Sequence, residues 1–109
     1  MSATSKRLEF LLKQTAPGGA ESANAFAWYG LAMEYRALSR LEEALATFEA
    51  LRARSPEYVP MYLMCGQMLE TMGRAAEARA WLTAGLDAAR KKGDAHAAGE
   101  LESALASLT

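Results

Sequence analysis

Apolar residues recur along this chain at helical spacing, and nowhere do apolar and polar positions alternate long enough for a strand. Leu8, Leu11 and Leu12 stand at i, i+3 and i+4, which predicts a first helix over 5–14. The segment TAPGGAES breaks it, because proline and paired glycine cannot continue a helix cheaply. The pattern then predicts helices over 22–37, 41–54, 58–72 and 75–92. Ser55–Pro56 ends the third, since a residue before proline avoids helical backbone, and Gly73 and Gly93 are natural C-terminal stops. Arg90, Lys91 and Lys92 complement the helix dipole at the fifth helix's end. Asp94 is a suitable N-cap for a sixth helix over 94–108, with Ala97, Leu101, Leu105 and Leu108 as its apolar stripe. Connections after the first loop are only a few residues long, so consecutive helices pack antiparallel. The expected fold is all-α: about six helices forming a row of helical hairpins.

A second regularity operates at longer range. Residues 34 apart keep their size class while their identity drifts. Trp28 pairs with Tyr62, Leu31 with Cys65, Ala32 with Gly66 and Tyr35 with Leu69. Ser39 pairs with Gly73, Arg40 with Arg74, Glu43 with Glu77, Ala44 with Ala78 and Phe48 with Leu82. Large residues recur where a gap must be filled, and small ones where two helix backbones approach.

A period near 34 with helix-turn-helix units resembles the tetratricopeptide repeat family. Residues 25–58 make a first unit, carrying Trp28, Leu31, Ala32, Tyr35, Ala44, Phe48 and Pro56 at the family's offsets. It departs from the pattern at Ser39, in place of the turn glycine, and at Leu51, in place of a small residue. Residues 59–92 make a second unit, which keeps Gly66, Gly73 and Ala78 but has Arg90 in place of the terminal proline. The resemblance implies one domain over 1–109, a right-handed α-solenoid of antiparallel hairpins. The 5–14 helix would pack at one end and the 94–108 helix would cap the other, making roughly three repeats in all, because solenoids of this kind need about three units for stability, with atypical ends.

The same resemblance implies where function would sit. The first helix of each unit would line a concave face, presenting Phe26, Tyr29, Met33 and Arg36 from one unit and Leu63, Met64, Gln67 and Glu70 from the next. Such a strip suits a peptide or helix of another protein, because aromatic residues and Arg carry interface energy and Met adapts to varied apolar partners. The alternative is that the terminal helices close over it and make it core. One family subclass holds a chaperone tail's carboxylate with Lys and Asn. The matching positions here include Tyr29, Gly30, Met33, Leu63, Met64 and Gln67, none of them Lys or Asn, so that subclass is not expected.

Composition narrows the remaining classes. Twelve basic residues against thirteen acidic ones leave a net charge of -1, which argues against nucleic acid as a partner. No run approaches the roughly 20 apolar residues of a membrane span, and no signal peptide is read at the start. A cytoplasmic protein is expected. Cys65 is the single cysteine and His96 the single histidine, so no metal knuckle or nucleophile motif is read. No enzyme activity, cofactor or metal is expected. Trp28, Tyr62 and Cys65 read as packing residues, and His96, Glu42–Glu43 and Glu100–Glu102 as solvated surface. Trp81 reads either as buried under the last helix or as a convex-face residue for self-association, since its repeat partner is Thr47. The rival to a free adaptor is a homo-oligomer, or a subunit docked permanently in a larger assembly.

Overall fold

The computed structural model describes residues 3–108. They form six α-helices: α1 Lys6–Thr15, α2 Ala25–Ala37, α3 Leu41–Arg54, α4 Pro60–Thr71, α5 Ala75–Lys92 and α6 Ala95–Ser107. No strand occurs among the described residues, and the architecture is an all-α helical repeat. Two compact units divide between Ser55 and Pro56, the first holding α1 to α3 and the second α4 to α6.

In the first unit, Ser5 caps α1 by accepting a hydrogen bond from the Leu8 amide at 2.9 Å. The buried face of α1 is Leu8 and Thr15, with Leu11 half-buried, whereas Leu12 is exposed. The 8, 11, 12 stripe is thus corrected: the helix rolls so that Leu12 points outward. The start of α2 is corrected too, from Ser22 to Ala25. Asn24 is the cap, accepting from the Phe26 amide at 2.9 Å. Ser22 stays outside the helix, where its carbonyl accepts from Trp28 Nε1 at 2.8 Å. Leu31, Ala32 and Tyr35 of α2 meet Ala44, Phe48 and Leu51 of α3, and all six are buried. Each of the largest contributes roughly 1.5–3 kcal/mol by leaving water.

The second unit repeats this plan. Pro60 occupies the first position of α4, where its missing N–H costs nothing. Cys65, Gly66 and Leu69 of α4 and Ala78, Leu82 and Gly85 of α5 are buried, the same positions 34 residues on, and Tyr62 is buried where Trp28 is half-buried. A Cβ on Gly66 would lie 2.5 Å from Leu82 Cδ2, and one on Gly85 would lie 2.4 Å from Tyr62 Cβ. Those two glycines set how closely α4 and α5 approach. Trp81 is buried, with its ring 5.9 Å from that of Tyr62, so it belongs to this helix pair and not to an exposed convex face.

Two devices recur at the 34-residue interval. The Tyr62 hydroxyl donates to the Pro56 carbonyl, as Trp28 Nε1 does to Ser22, in each case six residues upstream. At the turns, Arg40 Nε donates to Glu43 at 2.7 Å and Arg74 Nε to Glu77 at 2.9 Å. These clamps hold the first turns of α3 and α5, neither of which has a side-chain cap.

α6 departs from the repeat pattern. Asp94 caps it, accepting from the Ala97 amide at 3.0 Å. Positions 34 beyond Tyr62, Cys65, Gly66 and Leu69 are His96, Gly99, Glu100 and Ser103, and all four are exposed. The face equivalent to the buried face of α4 is therefore polar here, and His96 pairs along it with Glu100 at 3.3 Å. The apolar face of α6 is Ala98, Leu101 and Leu108, a shift of one residue from the expected Ala97. It lies against α5, where Leu101 Cδ2 sits 3.0 Å from the Cβ position of Gly85.

Candidate partner-binding surfaces

On α2, the four expected residues lie along a strip beside the α3-facing core. Phe26 is 68% exposed, and Tyr29, Met33 and Arg36 are half-buried. Tyr29 is anchored from below by an edge-on contact with Phe48, centroids 6.5 Å apart. Helix α1 covers a neighbouring line of α2. Leu11 reaches Gly30, and the Ser5 hydroxyl donates to Glu34 Oε2 at 2.8 Å. Arg7 pairs with Glu34 Oε1 at 3.4 Å. A largely exposed aromatic beside a half-buried aromatic and a half-buried methionine is surface that a monomer has no folding reason to present.

On α4, Leu63 and Met64 are half-buried, while Gln67 and Glu70 are exposed. They occupy the helix faces left over by the buried set Met61, Tyr62, Cys65, Met68 and Leu69. Each strip therefore runs from apolar at the helix start to polar or charged at its end. That gradient suits a ligand gripped by apolar contact and oriented by one charge.

The remaining chemistry is sparse. The Cys65 thiol is buried. Among the described residues, no three His, Cys, Asp or Glu side chains stand close enough to hold a metal ion, and no helix is long and apolar enough to cross a membrane. Among the described residues, the one paired set of shifted groups is structural: the Arg40 hydrogen bond holds the Glu43 carboxyl below its ordinary range, and Glu43 raises Arg40.

One surface was not anticipated from sequence. Phe10 is 60% exposed and stands beside Phe26 at a notch of about 300 Å³. The signal was present, since Phe10 falls off the leucine stripe of α1, but the stripe drew attention to Leu12 instead.

Residues 35–101 match the family model described as tetratricopeptide repeat. Two solved structures are similar, a crystal structure and a solution NMR structure of a tetratricopeptide repeat domain protein from Salinibacter ruber. Each is 31% identical and covers 76% of this chain. The match takes in 92% of the crystallised chain, with a TM-score of 0.71, and 84% of the NMR chain, with a TM-score of 0.72. No curated protein matches.

Proposed function

The chain belongs to the tetratricopeptide repeat family, whose members are in general protein–protein interaction modules, and on that premise we propose that it is a non-catalytic adaptor or scaffold. It binds a peptide or helix of another protein in the concave groove that the family resemblance implies. Phe26, Tyr29, Met33 and Arg36 contribute from α2, and Leu63, Met64, Gln67 and Glu70 from α4. The observation that carries this reading is Phe26. It is 68% exposed on a helix that buries Leu31, Ala32 and Tyr35 elsewhere on its surface, and it gains stability only when a partner covers it. The half-buried Tyr29 and Met33 beside it extend the apolar contact, and Arg36 supplies a charge for orientation. The buried thiol of Cys65 suits a reducing, cytoplasmic setting.

Affinity capture from a lysate of the native organism tests this. The parent is compared with Tyr29→Ala combined with Leu63→Glu, and separately with Phe26→Ser. The third bait guards against misfolding, because Tyr29 also supports Phe48 while Phe26 is largely exposed. A partner retained by the parent and lost by both variants is the expected result. Equal retention by all three baits would move the site off α2 and α4.

A further inference from the structure

Burial divides the sulfur atoms of this chain into two classes. Met61 and Met68 are at most 1% exposed and Cys65 is 0% exposed, so α4 holds three sulfur-bearing side chains out of reach of solvent. Met33, Met64 and Met72 are half-buried. Two of these three stand on the strips assigned to peptide binding, one on each helix. Met33 follows Phe26 by seven residues and Tyr29 by four, which places it on their side of α2. Met64 adjoins the half-buried Leu63 on α4. The third, Met72, caps the C-terminus of α4, off both strips. A small oxidant dissolved in water therefore meets the thioethers of the strips before those of the core, because thioether oxidation follows exposure.

We propose that Met33 and Met64 are oxidative modification sites, through which a hydroperoxide turns the peptide-binding strips from apolar to polar and releases the partner. The thioether sulfur attacks one peroxide oxygen, an S–O bond forms and the O–O bond breaks. The proton on the transferred oxygen passes to the departing one, which leaves as water when the oxidant is hydrogen peroxide. Sulfur loses two electrons and the peroxide gains them. The product sulfoxide is polar and accepts hydrogen bonds, so it no longer offers the adaptable apolar contact of methionine. Placement decides the consequence. A sulfoxide at Met61 or Met68 would enter the core, whereas one at Met33 or Met64 changes a half-open surface and leaves the helices packed. The consequence for binding rests on the peptide-binding reading; the order in which the methionines react does not.

The full chain is treated with a graded series of hydrogen peroxide, digested, and read by tandem mass spectrometry, which places each added oxygen. Met33 and Met64 should be oxidised, together with Met72, well before Met61 and Met68, while circular dichroism shows helicity unchanged. A peptide enriched from a phage-displayed library against the untreated chain should bind the treated chain at least about tenfold more weakly, because a polar group is then covered without a partner. The chain carrying both Met33→Leu and Met64→Leu is compared with its own untreated sample. Treatment should leave its affinity where it was, although Met72 still takes up oxygen. Reaction of buried and half-buried methionines at one rate overturns the proposal. So does loss of helicity in step with oxidation of Met33 and Met64, equal peptide affinity before and after treatment, or a double variant that stays sensitive to peroxide. An untreated chain that enriches no peptide would instead overturn the peptide-binding reading and the switch with it. The order of oxidation is read without any peptide, so the two failures are told apart.

Discussion

Ser39 should be replaceable by glycine with a gain in stability. It sits in the turn after α2 at φ +60°, and among the described residues it is the one non-glycine at positive φ. Its amide donates to the Arg36 carbonyl at 3.0 Å and the next amide, Arg40, to Tyr35 at 2.9 Å. This bond pair closes a helix with a left-handed residue. The equivalent turn after α4 has Gly73 at φ +78°, with bonds of 2.9 and 2.8 Å to Glu70 and Leu69. The backbone is therefore the same at both turns while the residue differs. A side chain in this conformation costs roughly 1–2 kcal/mol, and glycine returns about 0.5–1 kcal/mol of that through its freer unfolded chain. The net gain for Ser39→Gly is about 0.5–1 kcal/mol, or about 2–5 °C in Tm for a chain near this size. Ser39 is exposed and its hydroxyl makes no hydrogen bond among the described residues, so nothing offsets the gain. Gly73→Ala should lose about 1 kcal/mol by strain alone, since a Cβ there meets nothing within 4 Å. Thermal melts followed by circular dichroism give both values. Ser39→Ala is the decisive control: if it stabilises as much as Ser39→Gly, backbone strain is not the cause and the reasoning fails.

Other expectations follow from the same geometry. Gly85→Ala, which would ordinarily strengthen a helix, should cost about 1–3 kcal/mol because its Cβ would meet Tyr62 Cβ, an atom next to backbone that cannot step aside. Gly66→Ala should cost less, since it meets Cδ2 and Cγ of the Leu82 side chain, farther from the backbone than Tyr62 Cβ; reversed order in denaturant melts would contradict the packing described. Trp28→Phe should lose about 0.5–1.5 kcal/mol with its hydrogen bond to Ser22. Glu43 sits below the ordinary glutamate range because Arg40 hydrogen-bonds it, so its contribution is whole above that range and is lost as pH falls through its lowered value. Arg40→Gln should flatten that acid-side slope in a pH series of melts, and an unchanged slope would remove Glu43 as its source.

The sequence reading succeeded where size contrast is large. The Ala32, Ala44, Ala78 and Gly66 positions stand out against Tyr35, Phe48, Leu69 and Leu82, and all are buried as the 34-residue register requires. It slipped where contrast is absent. In AESAN, both Ser22 and Asn24 can cap a helix, and the choice is made by Trp28, which claims the Ser22 carbonyl, and by Glu21, which bonds back to Gln14. Those partners lie outside the local window. In α6, Ala97 and Ala98 look alike, and the buried one is selected by how Leu101 meets Gly85. In α1, three leucines and a phenylalanine in five residues allow more than one roll; the Glu34 bonds to Ser5 and Arg7 set the observed one and leave Phe10 outside. Exposure of a repeat's first helix is likewise a matter of what packs beside it, so the strips on α2 and α4 were readable as positions but not as surface.

The most direct test of the central claim is a peptide selection followed by mapping. Peptides displayed on phage would be selected against the full chain, and the enriched peptide titrated into isotope-labelled protein by NMR. Perturbed amides concentrated on α2 around Phe26, Met33 and Arg36 and on α4 around Leu63, Met64 and Gln67 are the predicted result. Perturbations confined to α5 and α6, or no enriched peptide at all, would contradict it.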